Sequence, residues 1–300
     1  MIQHRWKKII LTLMIFLFWE TVSVSARTFL PGDIVFSSNL SGNWDLYTVS
    51  PDGKQLRQIT QTPHDELSPA VSPDRHHLVF QKKRELWWYA KDSDTQERLP
   101  LPPGIYAHPA WKPDGSALAY IKYTVIPSDQ GELWQIHRNG TVWEEPRRLT
   151  TFPPMRVYPS YSPDGTRLAC AEFKRDPVLG VIEEIGVLDI ETGAFQQVTR
   201  DKADSYHPAW SPNGKQIVYV SNKTGNYDIW IYHLETEKNT RLTRHRSFDG
   251  EPVWSPAGDE IAFVSSRTGH REIWIISLSG DRLRRVTDIK KTCSRPFWVK

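Results

Sequence analysis

Six residues that could do chemistry stand at matching points of one repeated phrase, each immediately before a proline. In repeat order they are Arg295, Ser68, His108, Tyr158, His207 and Glu251. Charged, hydroxylic and imidazole groups gathered in one place could hold a peptide or an anion, or pass a proton. His108 and His207 with Glu251 offer the nitrogen and oxygen donors that suit a divalent cation. They are weak candidates for a metal, because only two of the six positions are His and those two lie two repeat units apart. No cofactor is expected. The frame repeats while its occupant changes, which is how a site built on a symmetric scaffold reads. The other reading is that these positions face solvent and vary freely. A solvated ring position changed to Ala would move stability by no more than roughly 0.5 kcal/mol. Glu251 and Arg295, in neighbouring units, could simply pair with each other.

A second set of six behaves oppositely. An acidic residue recurs at one point of every unit: Asp45, Glu85, Glu132, Glu184, Asp228 and Glu272. Carboxylates invite a general acid–base reading. A residue needed in every unit is better read as holding its loop, by accepting backbone N–H bonds from the preceding turn. Nucleophilic chemistry finds no support: there is no G-x-S-x-G elbow, no Gly-rich phosphate loop, and no space for a hydrolase domain. No catalytic residue is therefore expected. His76 and His77, in a strand-joining turn, are expected to be exposed.

The elements that must position these residues are short strands. A phrase of the form Ser-Pro-Asp-Gly recurs with its prolines at Pro73, Pro113, Pro163, Pro212 and Pro256. Pro presets one backbone angle, Asp or Asn bonds its own backbone, and Gly tolerates a positive φ, so each phrase is a turn. A short strand ending in an aromatic residue precedes it, as at Trp111, Tyr161, Trp210 and Trp254. A β-branched or aromatic strand follows, then a loop, a third strand, a turn and a fourth strand ending "RLT" or "RVT". Four antiparallel strands per unit of this length make a propeller blade. The abundance of Trp, Tyr and Pro and the scarcity of Met suit such short strands.

The chain's two ends complete the pattern. "DIVFSS" (33 to 38) is a second strand with nothing before it, and "RPFWVK" (295 to 300) is a first strand with nothing after it. Joined, they make one blade and leave no open sheet edge. The expected fold is all-β: a six-bladed β-propeller over 33–300, with the closing blade shared between N- and C-terminal strands. Cys170 and Cys293 fall in blades that face each other across the axis, too far apart to be bridged.

The first 26 residues read separately. A positive flank, an apolar run and a small-residue end at Ala26 make a secretory signal peptide, with cleavage after Ala26 and a short lead-in over 27–32. An uncleaved anchor is the competing reading. It is disfavoured because a spanning helix needs about 20 apolar residues and Glu20 interrupts the run. The product is expected to be periplasmic or secreted, monomeric, and without stable membrane insertion after cleavage. The formal net charge of +3 falls mostly in the leader, which leaves no case for a nucleic-acid partner.

These units, through "SPDG" (162 to 165), "GNYDIW" (225 to 230) and "RLT" (241 to 243), resemble the WD40-like propeller repeats of TolB-type proteins, also called PD40 repeats. The resemblance covers nearly all the chain after the leader. It implies a non-enzymatic envelope protein whose propeller binds another protein or peptide, as TolB-type propellers bind a peptidoglycan-associated lipoprotein. The further amino-terminal domain of that family is not expected here, which departs from the family's pattern. Some lyases of acidic polysaccharides use similar propellers with a histidine-bound metal in the channel. A metal-dependent carbohydrate-active enzyme, lyase or hydrolase, with its site at the channel mouth is the alternative. Innermost strands line a propeller's channel, so Ser68, His108, Tyr158, His207, Glu251 and Arg295 are expected to ring one mouth. Two long loops, 122 to 132 and 173 to 184, are expected on the same face, carrying Val125, Ile126, Pro177, Val178 and Leu179 either against each other or toward a partner.

Overall fold

The computed structural model describes residues 29–123 and 130–300. Among them there is no helix, and so none long and apolar enough to cross a membrane. The strands form six antiparallel sheets in a closed ring. Blade one joins Cys293–Trp298 to Ile34–Ser38, Asp45–Val49 and Leu56–Gln58. Blade two is Glu66–Val71, His77–Lys82, Glu85–Ala90 and Thr95–Arg98. Blade three is Ile105–Trp111, Ala117–Tyr123 and Gly131–Asn139, with its outer edge split into Val142–Trp143 and Arg147–Arg148. Blade four is Arg156–Tyr161, Arg167–Asp176, Gly180–Asp189 and Phe195–Gln197. Blade five is Ser205–Trp210, Gln216–Ser221, Asp228–His233 and Lys238–Arg241; blade six is Asp249–Trp254, Glu260–Ser265, Glu272–Ser277 and Leu283–Arg285.

Closure is as the two orphan half-units require. Ile34 pairs with Trp298 and Ser38 with Cys293, while Trp298 Nε1 donates to Gly32 O at 2.7 Å. The described part of the lead-in, from Phe29, packs into the core rather than forming a bare connection. Phe29 is buried with Leu78, Tyr89 and Val299, and its N–H donates to Arg75 O at 2.8 Å. The aromatic ends of the innermost strands pack between blades. Trp111 Nε1 donates to Ala70 O of blade two at 3.1 Å, and Trp254 Nε1 to Ala209 O of blade five at 3.0 Å. Cys170 and Cys293 are buried and unpaired. Burial pushes both thiols up to about 12, so neither is a ready nucleophile.

The repeated carboxylates are structural, with one correction. Asp45, Glu132, Glu184, Asp228 and Glu272 are buried. Asp45, Glu132 and Glu272 take backbone donors, and these come from the crossover after the fourth strand, not from the preceding turn; Glu184 and Asp228 are held by the side chains of Lys174 and Arg241. Thr62 N donates to Asp45 at 3.3 Å, Phe152 N to Glu132 at 3.2 Å, and Ile289 and Lys290 N to Glu272 at 3.1 and 2.9 Å. The "RLT" threonine works beside them. Its Oγ1 accepts the N–H of the residue after the carboxylate in five blades: Thr60 from Leu46, Thr150 from Leu133, Thr199 from Ile185, Thr243 from Ile229 and Thr287 from Ile273. Together they tie each blade's third strand to the chain leaving for the next blade. Blade two departs: Pro100 stands where the threonine would, and Glu85 is only partly buried, paired with Arg98 at 2.9 Å.

The strand directions fix two ends of the channel. Innermost strands run from an upper end, which carries the crossovers and the second-to-third-strand loops, to a lower end bearing the Ser-Pro-Asp-Gly turns.

Candidate functional site

Every innermost strand bulges at its X-Pro pair, so that two residues face one on the second strand. The lone partners are Phe36, Phe80, Tyr120, Cys170, Tyr219 and Phe263, all essentially fully buried. The bulge residue adopts a left-handed backbone in each blade: φ is 54° at Ser68, 52° at His108, 56° at Tyr158, 51° at His207, 53° at Glu251 and 55° at Arg295. That region favours glycine, and the residue before a proline is biased away from helical backbone as well. Six non-glycine residues therefore hold strained conformations of order 1 kcal/mol each, with their side chains turned to the axis.

The six do converge. Together with their prolines they line one cavity of about 140 Å³ at the waist of the channel. Its centre is aromatic. The Tyr158 ring stands edge-on between the two imidazoles, 4.6 Å from His108 and 4.1 Å from His207 between ring centres. The Arg295 guanidinium crosses the axis from blade one and lies 4.8 Å from the centre of the Tyr158 ring, on the opposite blade. Such a contact is worth about 0.5–2 kcal/mol, more when water is excluded. Glu251 does not pair with that guanidinium as the sequence suggested. Its carboxylate accepts Ser294 Oγ at 3.0 Å and the backbone N–H of Arg295, so it holds the bulge and leaves the Arg295 side chain free to reach across.

The ring is half-buried rather than freely solvated: each of its six residues keeps part of its surface exposed. Nδ1 of His108 and both ring nitrogens of His207 are buried without a hydrogen-bond partner among the described residues. Burial holds both imidazoles well below the usual histidine range, and the Arg295 charge adds to the effect, so both are neutral at pH 7. The metal candidates do not assemble. Tyr158 intervenes between His108 and His207, Glu251 is engaged by blade one, and no group of three His, Cys, Asp or Glu among the described residues is placed to hold an ion. His77, expected to be exposed, is half-buried and stacks on Trp88 at 4.0 Å.

Above the ring lies a group that the sequence reading missed. Glu183, in the third strand of blade four, has a buried Oε2 without a partner among the described residues. Burial pushes its carboxyl up to about 7; the nearby Asp204 carboxylate adds to this and Arg295 opposes it. Tyr206 packs on His207 at 4.9 Å and on Tyr227 at 5.7 Å, and the Tyr227 hydroxyl donates to Asp204 at 3.1 Å. A signal for Glu183 existed. Aligned on the repeat, its position is Trp44, Arg84, Gly131, Glu183, Tyr227 and Arg271, and the occupant changes in every blade as it does at the ring. The upper mouth thus offers a cation, neutral imidazoles, phenols and a carboxyl that titrates near neutrality. These groups can donate and accept hydrogen bonds around one inserted side chain or chain end. About 140 Å³ holds a group of benzene size, not a sugar chain.

Below the waist the channel widens to about 450 Å³ between Trp111, Tyr161, Trp210, Trp254, Phe297 and Trp298. Of the two long loops, the described one is a hairpin extending blade four at the upper end. Its tip residues Val178, Leu179 and Val181 are 89%, 54% and 58% exposed, so they do not pack on a neighbour. Val125 and Ile126 lie outside the described residues.

Comparison with known proteins follows the same lines. The profile of the TolB beta propeller domain family matches residues 143–300. A TolB homologue of Chlorobium luteolum is 29% identical over 172 residues, which are 56% of this chain and 36% of that protein. The chain therefore spans little more than a third of this curated relative. Among solved structures, TolB from Acinetobacter baumannii superposes with a TM-score of 0.73 at 20% identity, over 88% of this chain and 66% of its own. An oligogalacturonate lyase in complex with manganese reaches 0.59 at 16% identity, over 85% and 74%. At these identities the structural likeness is one of fold.

Proposed function

Because this chain belongs to the TolB β-propeller family, we propose that it is an exported, non-catalytic binding module of the bacterial envelope whose upper channel mouth takes a protein or peptide partner. The observation that carries this reading is the strained ring. Six non-glycine residues keep a left-handed backbone that glycine would adopt freely, and five different side chain types among the charged, hydroxylic and imidazole classes are turned inward by it. Strain repeated in every blade with varied side chains fits selection for what those side chains contact. The small cavity suits a single inserted side chain or chain end. Export is part of the reading: the leader 1–26 would be removed and 27–32 would lead into the propeller over 33–300. The family resemblance supplies the first partner to try, the peptidoglycan-associated lipoprotein of the same organism. Calorimetric titration of that protein should give saturable binding, with Tyr158→Ala weaker by about 2 kcal/mol, or some thirtyfold. Absence of binding, or equal binding by the variant, would count against the mouth as the site.

A metal-dependent carbohydrate-active enzyme is the second reading. It is favoured by the unpartnered imidazole nitrogens and by the fold shared with the manganese-bound lyase. Calorimetric titration with manganese separates the two: a stoichiometric site lost in His207→Ala would favour the enzyme.

A further inference from the structure

We propose that the upper end of the propeller is a peripheral docking surface for an anionic lipid bilayer, with the blade-four hairpin tip as its apolar wedge. The buried carboxylates of this end mostly carry their own cations: Glu66 is paired with Lys82 at 2.9 Å, Asp249 with Arg267 at 2.9 Å, Asp228 with Arg241 at 2.6 Å and Glu184 with Lys174 at 3.0 Å. Of the exposed acids nearby, Asp201 is engaged by Lys223 at 2.8 Å and Asp288 by Arg285 at 2.6 Å, while Asp65 accepts the backbone N–H of Trp44 at 3.1 Å. What remains outermost is mostly basic. Lys83, Arg84, Arg244, Arg246, Lys290 and Lys291 are all exposed on upper loops of blades two, five and six, and none has a carboxylate partner among the described residues.

The lower end differs in sign. Its exposed turns carry Asp92, Asp94, Glu191, Glu235 and Glu237. The molecule is thus polarised along the channel axis, and an anionic surface would attract one end and repel the other.

Charge alone would suit any acidic partner; the hairpin favours a bilayer. The strands Arg167–Asp176 and Gly180–Asp189 are ten residues long where blades five and six use six. Four extra residues carry the tip about 13 Å beyond the matching strand ends of blades five and six. The tip presents Val178, Leu179 and Val181 to solvent, with Arg175 and Lys202 exposed at its base. Interfacial anchors bury apolar side chains about 5–10 Å into the headgroup region while basic residues meet the anionic headgroups. The reach of the tip and the ring of cations match both requirements.

The test is cosedimentation of the chain from Arg27, which keeps the apolar leader out of the assay, with phosphatidylcholine vesicles containing about 30 mol% phosphatidylglycerol or none. Binding to the anionic vesicles should exceed that to neutral ones by at least about tenfold and should be lost at about 0.5 M salt. Val178→Ser with Leu179→Ser, which leaves charge unchanged, should weaken it about tenfold. Arg244→Glu with Arg246→Glu should weaken it at least as much, and Lys54→Glu, on a lower-end turn, should not. Equal partition into both vesicle types overturns the proposal. So does full binding by the serine variant, which would assign the cations to an acidic macromolecule instead. The vesicles carry no protein, so either failure leaves the peptide reading standing.

Discussion

The carboxylate that opens each third strand and the residue that precedes each innermost proline are equally symmetric in position and opposite in use. The first is acidic in all six blades, is buried in five, and ties its strand to the crossover beyond. The second differs between most blades, sits on a strained bulge, and turns its side chain into the channel. The chain solves the same folding problem six times and varies its side chains at a point where the backbone is least comfortable. Strain that a glycine would relieve has a reason outside the fold.

The harshest way to break this contrast is to open the frame. Deleting residues 295–300 removes Trp298 and Val299 from the core and leaves Ile34–Ser38 with a bare edge. Calorimetry should show the melting temperature falling by about 10 °C or more. A truncated chain that melts within a few degrees of the intact one would mean that the composite blade contributes little.

A gentler attack is Glu272→Ala, which strands two backbone N–H groups and the Thr287 hydroxyl. It should cost about 2–4 kcal/mol in denaturant unfolding. The same change at Glu85, whose one ion-pair partner among the described residues is the half-exposed Arg98, should cost under about 1 kcal/mol. Equal losses at both would dissolve the distinction between a frame position and a surface ion pair.

At the mouth the contrast can be read from pH. An unfolded glutamate ionises near 4.5, whereas Glu183 keeps its proton up to about 7. The folded state therefore binds more protons between those values, and this residue makes stability fall as pH rises through them. Glu183→Gln should raise stability at pH 8 by about 1–3 kcal/mol and leave it unchanged at pH 4. A gain of equal size at both values would show that burial of the charge is not the cause.

The smallest effect is the most discriminating. His207→Gly should be more stable than His207→Ala by about 1 kcal/mol, because glycine accepts a φ of 51° without strain. Both variants lose the imidazole, so both should lose partner binding alike. If alanine is the more stable, the bulge does not carry the strain argued for it.

Much of this was legible because repetition aligns the chain against itself. The turns at Pro113, Pro163 and Pro212, the six blades and the convergence of the pre-proline residues all follow from one phrase read several times. What escaped was of two kinds. Glu183 had a frame, one residue before the repeated carboxylate Glu184, but the invariant acid beside it masked it; Asp204 lies in a crossover outside the repeated phrase. The partner of Arg295 escaped because adjacency in the ring suggested Glu251, while a long side chain in a narrow channel can reach the opposite blade and find Tyr158. The source of the backbone donors to Glu272 was misplaced for a related reason: a carboxylate side chain reaches the crossover beside the start of its strand as readily as the turn before it. Partial burial of the ring was also hidden, since sequence names a channel but not its width.

The bond from Trp298 to Gly32 joins residues 266 apart. The equilibrium cost of so long a closure is modest, because loop entropy grows only with the logarithm of length. The order of events is another matter. A chain synthesised from its amino end delivers Ile34–Ser38 early and the strand that covers it only after five whole blades have emerged. Until then the half-made blade shows an open edge to anything extended nearby. The clasp is therefore a checkpoint in time as well as a seam in space: the molecule is safe from unwanted strand pairing only when it is finished.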